Sequence, residues 1–317
     1  MKDTYFPEII GQDTVKKALG FYIDGYKSTN LIPHMMFTAP RGCGKTTMAT
    51  AMAKNLTDLE GRPKPLITVN CSTIKSLKQF FNMFVIPYMN DRDASILFDE
   101  CSELPKDVTM ALLTILNPNK ENRTSFSYED YTVDFDFKRL SFLFATTEGQ
   151  QIFHALMDRM ERIDLEEYTY DELGKIVMCG MGDYTIEPKT LARIGKILRG
   201  NARAAQKMAD NIKLYCDGSG CKHFGQKDWD KLKWTLGILP CGLSKIELQV
   251  LRILARKKEC SLTFLSANTG LTKECLQRDY ELYLQKNNLM EISTAGRRIT
   301  MDGKKYLDVL DKAKKSC

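Results

Sequence analysis

Long apolar segments are missing from this sequence. No window approaches eighteen consecutive apolar residues, and residues 1–5 do not lead into the apolar core of a signal peptide. A helix that crosses a membrane needs about 20 mostly apolar residues, so a helical membrane protein is excluded. The missing signal predicts a cytoplasmic protein. The ten cysteines are then expected to be reduced thiols and not a disulfide framework.

A strong charge bias is missing too. The 46 Lys and Arg residues exceed the 40 Asp and Glu residues only slightly, which leaves a net charge of +6. Such a balance permits contact with nucleic acid but does not require it. The chain of 317 residues is 43% hydrophobic, as ordinary globular proteins are. Its length suffices for two or three domains, each with its own core.

Residues 39–47, with the sequence APRGCGKTT, form the most informative motif. They follow an apolar run and precede a helical pattern, which is the strand, loop and helix order of a phosphate-binding P-loop. Lys45 would reach the β- and γ-phosphates of a nucleotide, and the Thr46 hydroxyl would bind Mg²⁺. Ala39 replaces the usual first glycine, at a cost of about 1 kcal/mol or more if that position needs a positive φ. The predicted nucleotide contacts in this loop are Gly42, Cys43, Gly44, Lys45, Thr46 and Thr47.

Residues 95–100, with the sequence SILFDE, combine a buried-strand run with two carboxylates. This pattern is typical of a Walker B motif, in which Asp99 holds Mg²⁺ directly or through water. Glu100 would act as general base on the attacking water. Acidic pairs at strand ends also occur as solvated turns. Together with the P-loop, however, this pair predicts hydrolysis of a nucleoside triphosphate.

Apolar strands alternate with helical segments in the first half of the sequence. Residues 131–137 alternate in polarity and predict one arm of an exposed β-hairpin. The remaining strands are predicted at 65–70, 95–100 and 141–147. They indicate a mostly parallel sheet covered by helices on both faces. Beyond residue 168 helices dominate, predicted at 169–181, 188–198 and 201–215, with a glycine-rich break at 217–220.

The last part of the sequence predicts a winged helix. Such modules usually place a helix or the wing against duplex DNA, although some are used only for contact with proteins. The expected helices are 244–257, 262–269 and 273–286, followed by strands at 289–292 and 299–301 around a polar turn at 293–298. We therefore expect three domains, at 1–167, 168–240 and 241–317.

These motifs together resemble the RuvB family, the AAA+ motors that drive branch migration of Holliday junctions, over nearly the whole chain. The resemblance rests on FPEIIGQ at 6–12, on the strand and P-loop at 34–47, and on Asp99 with Glu100. It implies an α/β fold, in which an AAA+ P-loop ATPase domain with a parallel sheet precedes a helical lid domain and a winged-helix domain. It also implies ATP and Mg²⁺ as ligands, with Ile10 bordering the adenine pocket.

Three further residues receive catalytic roles from this resemblance. Thr146 and Thr147 fall at sensor 1, where Thr147 would contact the γ-phosphate or the attacking water. Arg159 falls at the arginine finger, which acts on the ATP of a neighbouring subunit, and Arg203 falls at sensor 2, which acts on its own. Arginine suits both positions because its planar, permanently charged guanidinium makes paired hydrogen bonds to phosphate.

Contacts with DNA and with proteins also follow from the resemblance. Arg297 and Arg298 lie in TAGRR, which resembles the wing tip that touches DNA phosphates. The implied partners are DNA, as four-way junctions or duplex arms, further copies of the chain in a hexameric ring, and a RuvA-like junction-binding protein at the 117–139 hairpin. That hairpin is more polar and aromatic than in the family, and CSE at 101–103 also departs from its pattern. A divergent or mobile-element protein with a different junction binder, or with none, therefore stays open.

Three functions remain open from the sequence. The implied one is an ATP-dependent DNA translocase that drives branch migration in recombination and repair. A clamp-loader or helicase-loader ATPase would share the nucleotide site but not the winged tail. A nucleotide-switched DNA-binding protein would bind ATP without motor activity.

A zinc site is only weakly indicated. Cys216, Cys221 and His223 are close in sequence, but only the distant Cys241 could supply a fourth ligand. Structural zinc sites need four ligands at regular spacing. The sequence does not decide whether these side chains bind a metal.

Overall fold

The computed structural model describes residues 5–117, 119–257 and 259–315. The chain divides into two compact units, Met1–Gly225 and Gln226–Cys317. The expected division into three domains, with boundaries at 167 and 240, stays a prediction. Within the described ranges, none of the helices has both the length and the apolar character needed to cross a membrane.

A five-stranded sheet lies at the centre of the first unit. The strands of this unit are β1 (Met35–Thr38), β2 (Leu66–Asn70), β3 (Ala94–Asp99), β4 (Arg123–Tyr128), β5 (Tyr131–Asp136), β6 (Leu140–Thr146), β7 (Glu161–Asp164), β8 (Thr185–Ile186) and β9 (His223–Phe224). The sheet has the order β2, β3, β6, β1, β7, and every neighbouring pair is parallel. The expected parallel sheet is confirmed, and the short polar strand β7 is an addition to it.

Helices cover both faces of the sheet. They are α1 (Asp13–Thr29), α2 (Lys45–Ala53), α3 (Leu77–Phe80), α4 (Ile86–Tyr88), α5 (Lys106–Ile115) and α6 (His154–Met157). Three further helices follow the sheet in sequence, and the first packs against the other two: α7 (Tyr170–Gly180), α8 (Pro188–Ile197) and α9 (Ala202–Ser219). A π-helical turn, Phe81–Val85, joins α3 to α4. Along β3, Ile96 and Phe98 enter one core while Leu97 enters the other. Burial on both faces explains why the strands appear as nearly continuous apolar runs.

The hairpin of β4 and β5 is less exposed than its sequence suggested. Val133 and Phe135 are 1% and 0% exposed and belong to the core on one face of the sheet. The ring of Tyr128 lies 4.9 Å from that of Phe81. Alternate residues of a strand point to opposite faces, so the apolar half of the hairpin packs inward. The expectation of an exposed hairpin is therefore wrong for one of its two faces.

Helix α9 continues through the predicted break at 217–220. It ends at Ser219, and Gly220 caps it with a φ of 68°. Glycine adopts this left-handed conformation without the strain of a Cβ, so the glycine-rich segment is the helix end and not a separate loop. At the other end, the Asn201 side chain accepts a hydrogen bond from the Ala204 N–H and fixes where α9 begins.

The second unit has a helical core with a two-stranded wing. Its elements are α10 (Gln226–Thr235), α11 (Lys245–Arg256), α12 (Leu262–Thr269), α13 (Lys273–Cys275), α14 (Leu282–Lys286), β10 (Met290–Ser293), β11 (Gly296–Ile299) and α15 (Met301–Lys315). A π-helical stretch, Leu276–Glu281, joins α13 to α14 into one long helix. Strands β10 and β11 pair antiparallel. The predicted winged helix is confirmed, and α10 and α15 extend it.

The boundaries of the wing differ from those predicted. The turn was expected to last until residue 298, but β11 already begins at Gly296, and Met301 begins a helix where a strand was expected. The reason is a pairing across the wing, since the backbones of Arg297 and Cys260 exchange two hydrogen bonds of 2.8 and 2.9 Å. A Cβ at Gly296 would lie 2.7 Å from the Cys260 carbonyl oxygen, so this close approach needs glycine.

Candidate functional site

A phosphate-binding loop joins β1 to α2. Gly42 and Gly44 have φ angles of 79° and 87°, which favour glycine. A Cβ at Gly42 would lie 2.2 Å from Oδ1 of Asn201. Ala39 is not among the described residues with a positive φ, so alanine at the first motif position introduces no such strain. The loop leads directly into the N-terminus of α2, where unpaired N–H groups suit phosphate oxygens.

Lys45, the first residue of α2, is buried within this loop. Its Nζ donates to the carbonyl oxygen of Ala39 at 3.0 Å and to that of Pro40 at 3.2 Å. Burial lowers the pKa of Lys45, because desolvation disfavours the charged form. An ammonium group whose partners are neutral carbonyls is suited to receive an anion.

Thr46 and Asp99 meet where the P-loop and the end of β3 come together. Thr46 Oγ1 donates to Asp99 Oδ2 at 3.0 Å. Hydroxyl and carboxylate oxygens are ligands that Mg²⁺ accepts, so this pair fits a magnesium ion. Glu100 follows with a φ of 55° and an exposed side chain. Its backbone N–H donates to Asp99 Oδ1 at 3.0 Å. Because the side chain is exposed, its carboxylate is accessible to a water molecule.

The two threonines at the end of β6 have different surroundings. Thr146 is buried, and its hydroxyl donates to Ser102 Oγ at 3.0 Å. Thr147 follows the strand and is exposed. Because β6 lies between β3 and β1 in a parallel sheet, Thr147 emerges at the same edge as the P-loop and Glu100. The structure thus gathers these residues at one edge of the sheet.

The start of α9 lies against the P-loop. The backbone N–H of Arg203 donates to the Gly42 carbonyl at 3.3 Å, and the Asn201 amide donates to the Arg41 carbonyl at 3.4 Å. The Cys43 thiol lies 3.7 Å from the Gly200 carbonyl. The Arg203 side chain is exposed on the first turn of α9. The contact of Asn201 with the loop was not predicted, since nothing in the sequence links positions so far apart.

A cavity of about 260 Å³ adjoins the P-loop and α7. Gln12 holds the N-terminal motif beside it, because its side-chain amide exchanges hydrogen bonds of 2.7 and 3.1 Å with the backbone of Glu166. Burial raises the pKa of Tyr168 in its wall. Mostly apolar walls with a few polar groups suit a flat heterocyclic base. The lining residues are Glu8, Ile9, Ile10, Gly44, Thr47, Tyr168, Ile176, Cys179, Gly180, Ala202 and Gln206.

Arg159 lies apart from the residues around the P-loop. It is in the turn between α6 and β7, where Nη1 donates to the Ala155 carbonyl at 2.5 Å. Its buried Nε has no hydrogen-bond partner among the described residues. Strand β7 runs parallel to β1 with Glu161 opposite Met35, so Arg159 precedes β7 at the edge of the sheet away from the P-loop. The structure does not bring Arg159 to the nucleotide site of its own chain.

The wing places its two arginines in different surroundings. Arg297 makes a bidentate ion pair with Glu281, with Nε–Oε1 and Nη2–Oε2 distances of 2.9 and 3.2 Å. These side chains are only 14% and 2% exposed. Arg298 is 50% exposed and pairs at 2.8 Å with Glu291 on the surface. Arg298 can therefore exchange its partner for a ligand, whereas Arg297 would have to break a buried ion pair.

The side chains considered for zinc do not form a site. In the described part of the chain, no three His, Cys, Asp or Glu side chains converge as metal ligands. Cys216 is buried, whereas His223 is exposed and its Nδ1 lies 2.9 Å from the Thr185 hydroxyl. The geometry gives zinc no support at this position.

Two family models match separate parts of the chain. Residues 35–168 match the ATPase family associated with various cellular activities (AAA), and residues 240–308 match the RuvB C-terminal winged helix domain. The Holliday junction branch migration complex subunit RuvB of Mycoplasmopsis pulmonis is 25% identical over 96% of both chains. Its counterpart from Sulfurimonas denitrificans is 23% identical over 98% of this chain and 91% of its own.

Solved structures of RuvB from Thermotoga maritima are similar in fold. One, described as a Holliday junction branch migration motor, has a TM-score of 0.75 at 22% identity and covers 94% of this chain and 95% of that one. A mutant form of the same protein has a TM-score of 0.76 at 22% identity, with 95% and 96% covered. The likeness extends from the parallel-sheet domain to the winged helix.

Proposed function

We propose that this chain, which is similar to RuvB proteins over nearly its whole length, is an ATP-driven motor that moves the branch point of four-way DNA junctions in recombination and repair. The observation that carries the proposal is the combination of a P-loop, in which Thr46 already bonds to Asp99, with a RuvB-type winged helix. A clamp loader or helicase loader would have the first without the second. We place this activity in the cytoplasm.

Nucleotide binding replaces the contacts that the P-loop makes in the free protein. Lys45 exchanges its two carbonyl partners for β- and γ-phosphate oxygens. The backbone from Gly42 to Thr47 surrounds the phosphates, and the adenine enters the cavity beside Ile10. Thr46 and Asp99 would hold Mg²⁺, which would supply positive charge against the phosphates.

The attacking water is positioned by two residues from neighbouring strands. Glu100 accepts a proton from the water and so makes it a better nucleophile. Thr147 hydrogen bonds to the same water or to the γ-phosphate. Both residues emerge from the carboxyl ends of adjacent parallel strands, which is where ligands of open α/β sheets bind.

Each nucleotide then lies between two subunits. Arg203 is in the first turn of α9 and acts on the nucleotide of its own chain. Arg159 is at the distant edge of the sheet, so its target is the nucleotide of the next chain. Head-to-tail contacts of this kind close into a ring, and we propose a hexamer. Hydrolysis is thereby linked to assembly.

Two surfaces meet the other partners. Arg298, on the exposed side of the wing, contacts DNA phosphates. The solvent face of the β4–β5 hairpin is the proposed contact for a RuvA-like junction-binding protein. Because this face of the hairpin is polar, we expect its partner to present a complementary polar surface.

A junction assay with mixed variants tests the motor and its subunit arrangement together. ATP-dependent dissociation of a labelled synthetic four-way junction is expected for the natural chain. It should be lost with Glu100→Gln, which lacks the base, and with Arg159→Ala, which lacks the finger. A random equal mixture of these variants should regain roughly a quarter of the hydrolysing sites, since that fraction pairs an intact Glu100 with an intact neighbouring Arg159.

Each alternative gives a different result in this assay. ATP hydrolysis without junction movement would favour a loader ATPase, and ATP binding without turnover would favour a nucleotide switch. A mixture no more active than its components would contradict the action of Arg159 on a neighbouring subunit. Matched samples of each variant alone, at the same total concentration, provide the control.

A further inference from the structure

The general base and the sensor threonine emerge from neighbouring strands but belong to separate turns. Asp99 of β3 lies opposite Ala145 of β6, so Glu100 and Thr147 leave the sheet close to one another. Glu100 begins a one-turn 3₁₀ helix, Cys101–Glu103, with its own φ at 55°. Such a left-handed conformation is unfavourable for a residue with a Cβ. Contacts around this turn must therefore hold Glu100 in place.

One contact between two hydroxyl groups joins these turns. Thr146 Oγ1 donates to Ser102 Oγ at 3.0 Å, and it accepts a hydrogen bond of 3.0 Å from the backbone N–H of Glu148. Thr146 is 1% exposed, so water does not compete for its hydroxyl. The Thr146 hydroxyl therefore fixes the backbone on the far side of Thr147 and also the turn that carries Glu100.

Other contacts also hold the Glu100 turn. Within it, the Glu103 N–H donates to the Glu100 carbonyl at 2.9 Å. The Cys101 side chain is buried, and burial raises the pKa of its thiol to about 12, so Cys101 anchors the turn as an apolar group. Ser102 supplies a hydrogen bond between side chains from this turn to the end of β6, next to the contact of the Cys101 thiol with the backbone of Ala145.

We propose that Ser102 is a positioning residue, which couples Glu100 to Thr147 through the hydroxyl of Thr146. The inference rests on the proposed ATPase site, because it concerns the water that Glu100 and Thr147 hold between them. In this proposal Glu100 and Thr147 touch the attacking water and Ser102 does not. It fixes the distance between the two groups that do, and a displacement of such groups by about 1 Å can slow a reaction by up to roughly a hundredfold.

ATP turnover of single and double variants of the full chain tests this coupling. Ser102→Ala should lower kcat about tenfold and leave KM for ATP within about twofold, since the nucleotide contacts are intact. Thr146→Val should do the same or more, and the double variant should be no slower than Thr146→Val alone. The conservative variants Ser102→Thr and Thr146→Ser keep both hydroxyls and should retain most of the activity.

A matched control separates positioning from general destabilisation. Thr190 lies in α8, outside both turns, and is also fully buried. Its hydroxyl donates to Glu187, which directly precedes α8, at 2.9 Å. Thr190→Val should affect the unfolding midpoint but not kcat. In a Glu100→Gln background, Ser102→Ala should cause no further loss of residual turnover, because the base that it positions is already gone.

Two results would overturn the inference. One is a double variant whose loss equals the product of the two single losses, and the other is a rise in KM at unchanged kcat. Since turnover is measured without DNA, these outcomes are separate from the motor proposal. If the natural chain moves junctions but Ser102→Ala has no effect on turnover, the inference about Ser102 fails and the motor proposal stands. If the coupled losses of turnover are found but no junction movement occurs, the motor proposal fails and the inference about Ser102 stands.

Discussion

The P-loop and the wing each contain a cation that the sequence assigns to phosphate binding, and the two cations have opposite partners. Lys45 donates to two neutral carbonyl oxygens of its own loop. The Arg297 guanidinium donates two hydrogen bonds to the carboxylate of Glu281. The first side chain is a charge without a counterion among its hydrogen-bond partners, and the second is already neutralised.

Because of this difference, we expect phosphate to bind at Lys45 more readily than at Arg297. Burial lowers the pKa of Lys45, so an anion that enters the loop relieves an existing cost of desolvation. A phosphate at Arg297 would have to displace a carboxylate that is 2% exposed, and it would leave that carboxylate buried without its partner. A basic residue in a phosphate-binding motif is therefore expected to bind phosphate only where its hydrogen-bond partners in the free protein are easily displaced.

The largest effect should come from Lys45→Ala. The variant should lose ATP turnover by roughly a thousandfold, because Lys45 is the cation that the P-loop itself holds in place for the β- and γ-phosphates. Turnover and the affinity for a fluorescent ATP analogue measure this loss. Lys54→Ala is the matched control, since Lys54 also adjoins α2 but is exposed and pairs with Glu8 at 3.6 Å. Persistent hydrolysis in Lys45→Ala would remove the P-loop assignment.

The second effect concerns stability and not DNA binding. Arg297→Met should reduce the free energy of unfolding by about 3 to 5 kcal/mol, because Glu281 is left as an unpaired buried charge. Both tryptophans, Trp229 and Trp234, belong to the same compact unit as the wing. Urea unfolding followed by tryptophan fluorescence therefore reports on the affected part of the chain.

A second substitution distinguishes the ion pair from a role in DNA binding. Arg297→Met combined with Glu281→Leu replaces the pair by apolar groups, and it should recover most of the lost stability. The salt dependence of DNA binding should be unchanged in the double variant. A small change in stability together with a weaker salt dependence would instead make Arg297 a phosphate ligand, and the contrast with Lys45 would fail.

The outline of the nucleotide site could be predicted because its parts are local. Each motif ends one strand, and the carboxyl ends of parallel strands meet at one edge, so Lys45, Asp99 and Thr147 had to come together. The presence of the wing could also be predicted from local sequence, because apolar segments alternate with polar ones in this part of the chain. The sequence pattern also identified the helices on either side of it.

Contacts between distant positions could not be predicted. Glu281 and Arg297 lie in a long helix and in a strand, and neither position indicates the other. Ser102 and Thr146 are likewise joined only by the neighbouring positions of β3 and β6. The burial of Phe135 depends on which face of the hairpin meets the core. In each case a tertiary contact changed the role that local composition suggested.

The smallest effect should come from Arg298, and it completes the comparison. Its partner Glu291 is 48% exposed, and surface ion pairs contribute only about 0 to 1 kcal/mol, so phosphate can replace that carboxylate at little cost. Arg298→Ala should weaken DNA binding a few-fold for every sequence and reduce the slope of log affinity against log salt by about 0.9, as loss of one phosphate contact does.

Two further variants support the Arg298 measurement, one as a control and one as a second test. Both change exposed ion pairs of the same unit. Arg252, which pairs with Asp311 at 3.4 Å, lies on α11, so Arg252→Ala should leave the salt slope unchanged. Glu291→Gln removes the competitor of phosphate and should tighten DNA binding. If Glu291→Gln weakened binding instead, the surface pair would be needed to orient Arg298, and a weak resting partner would no longer be sufficient to identify a phosphate-binding cation.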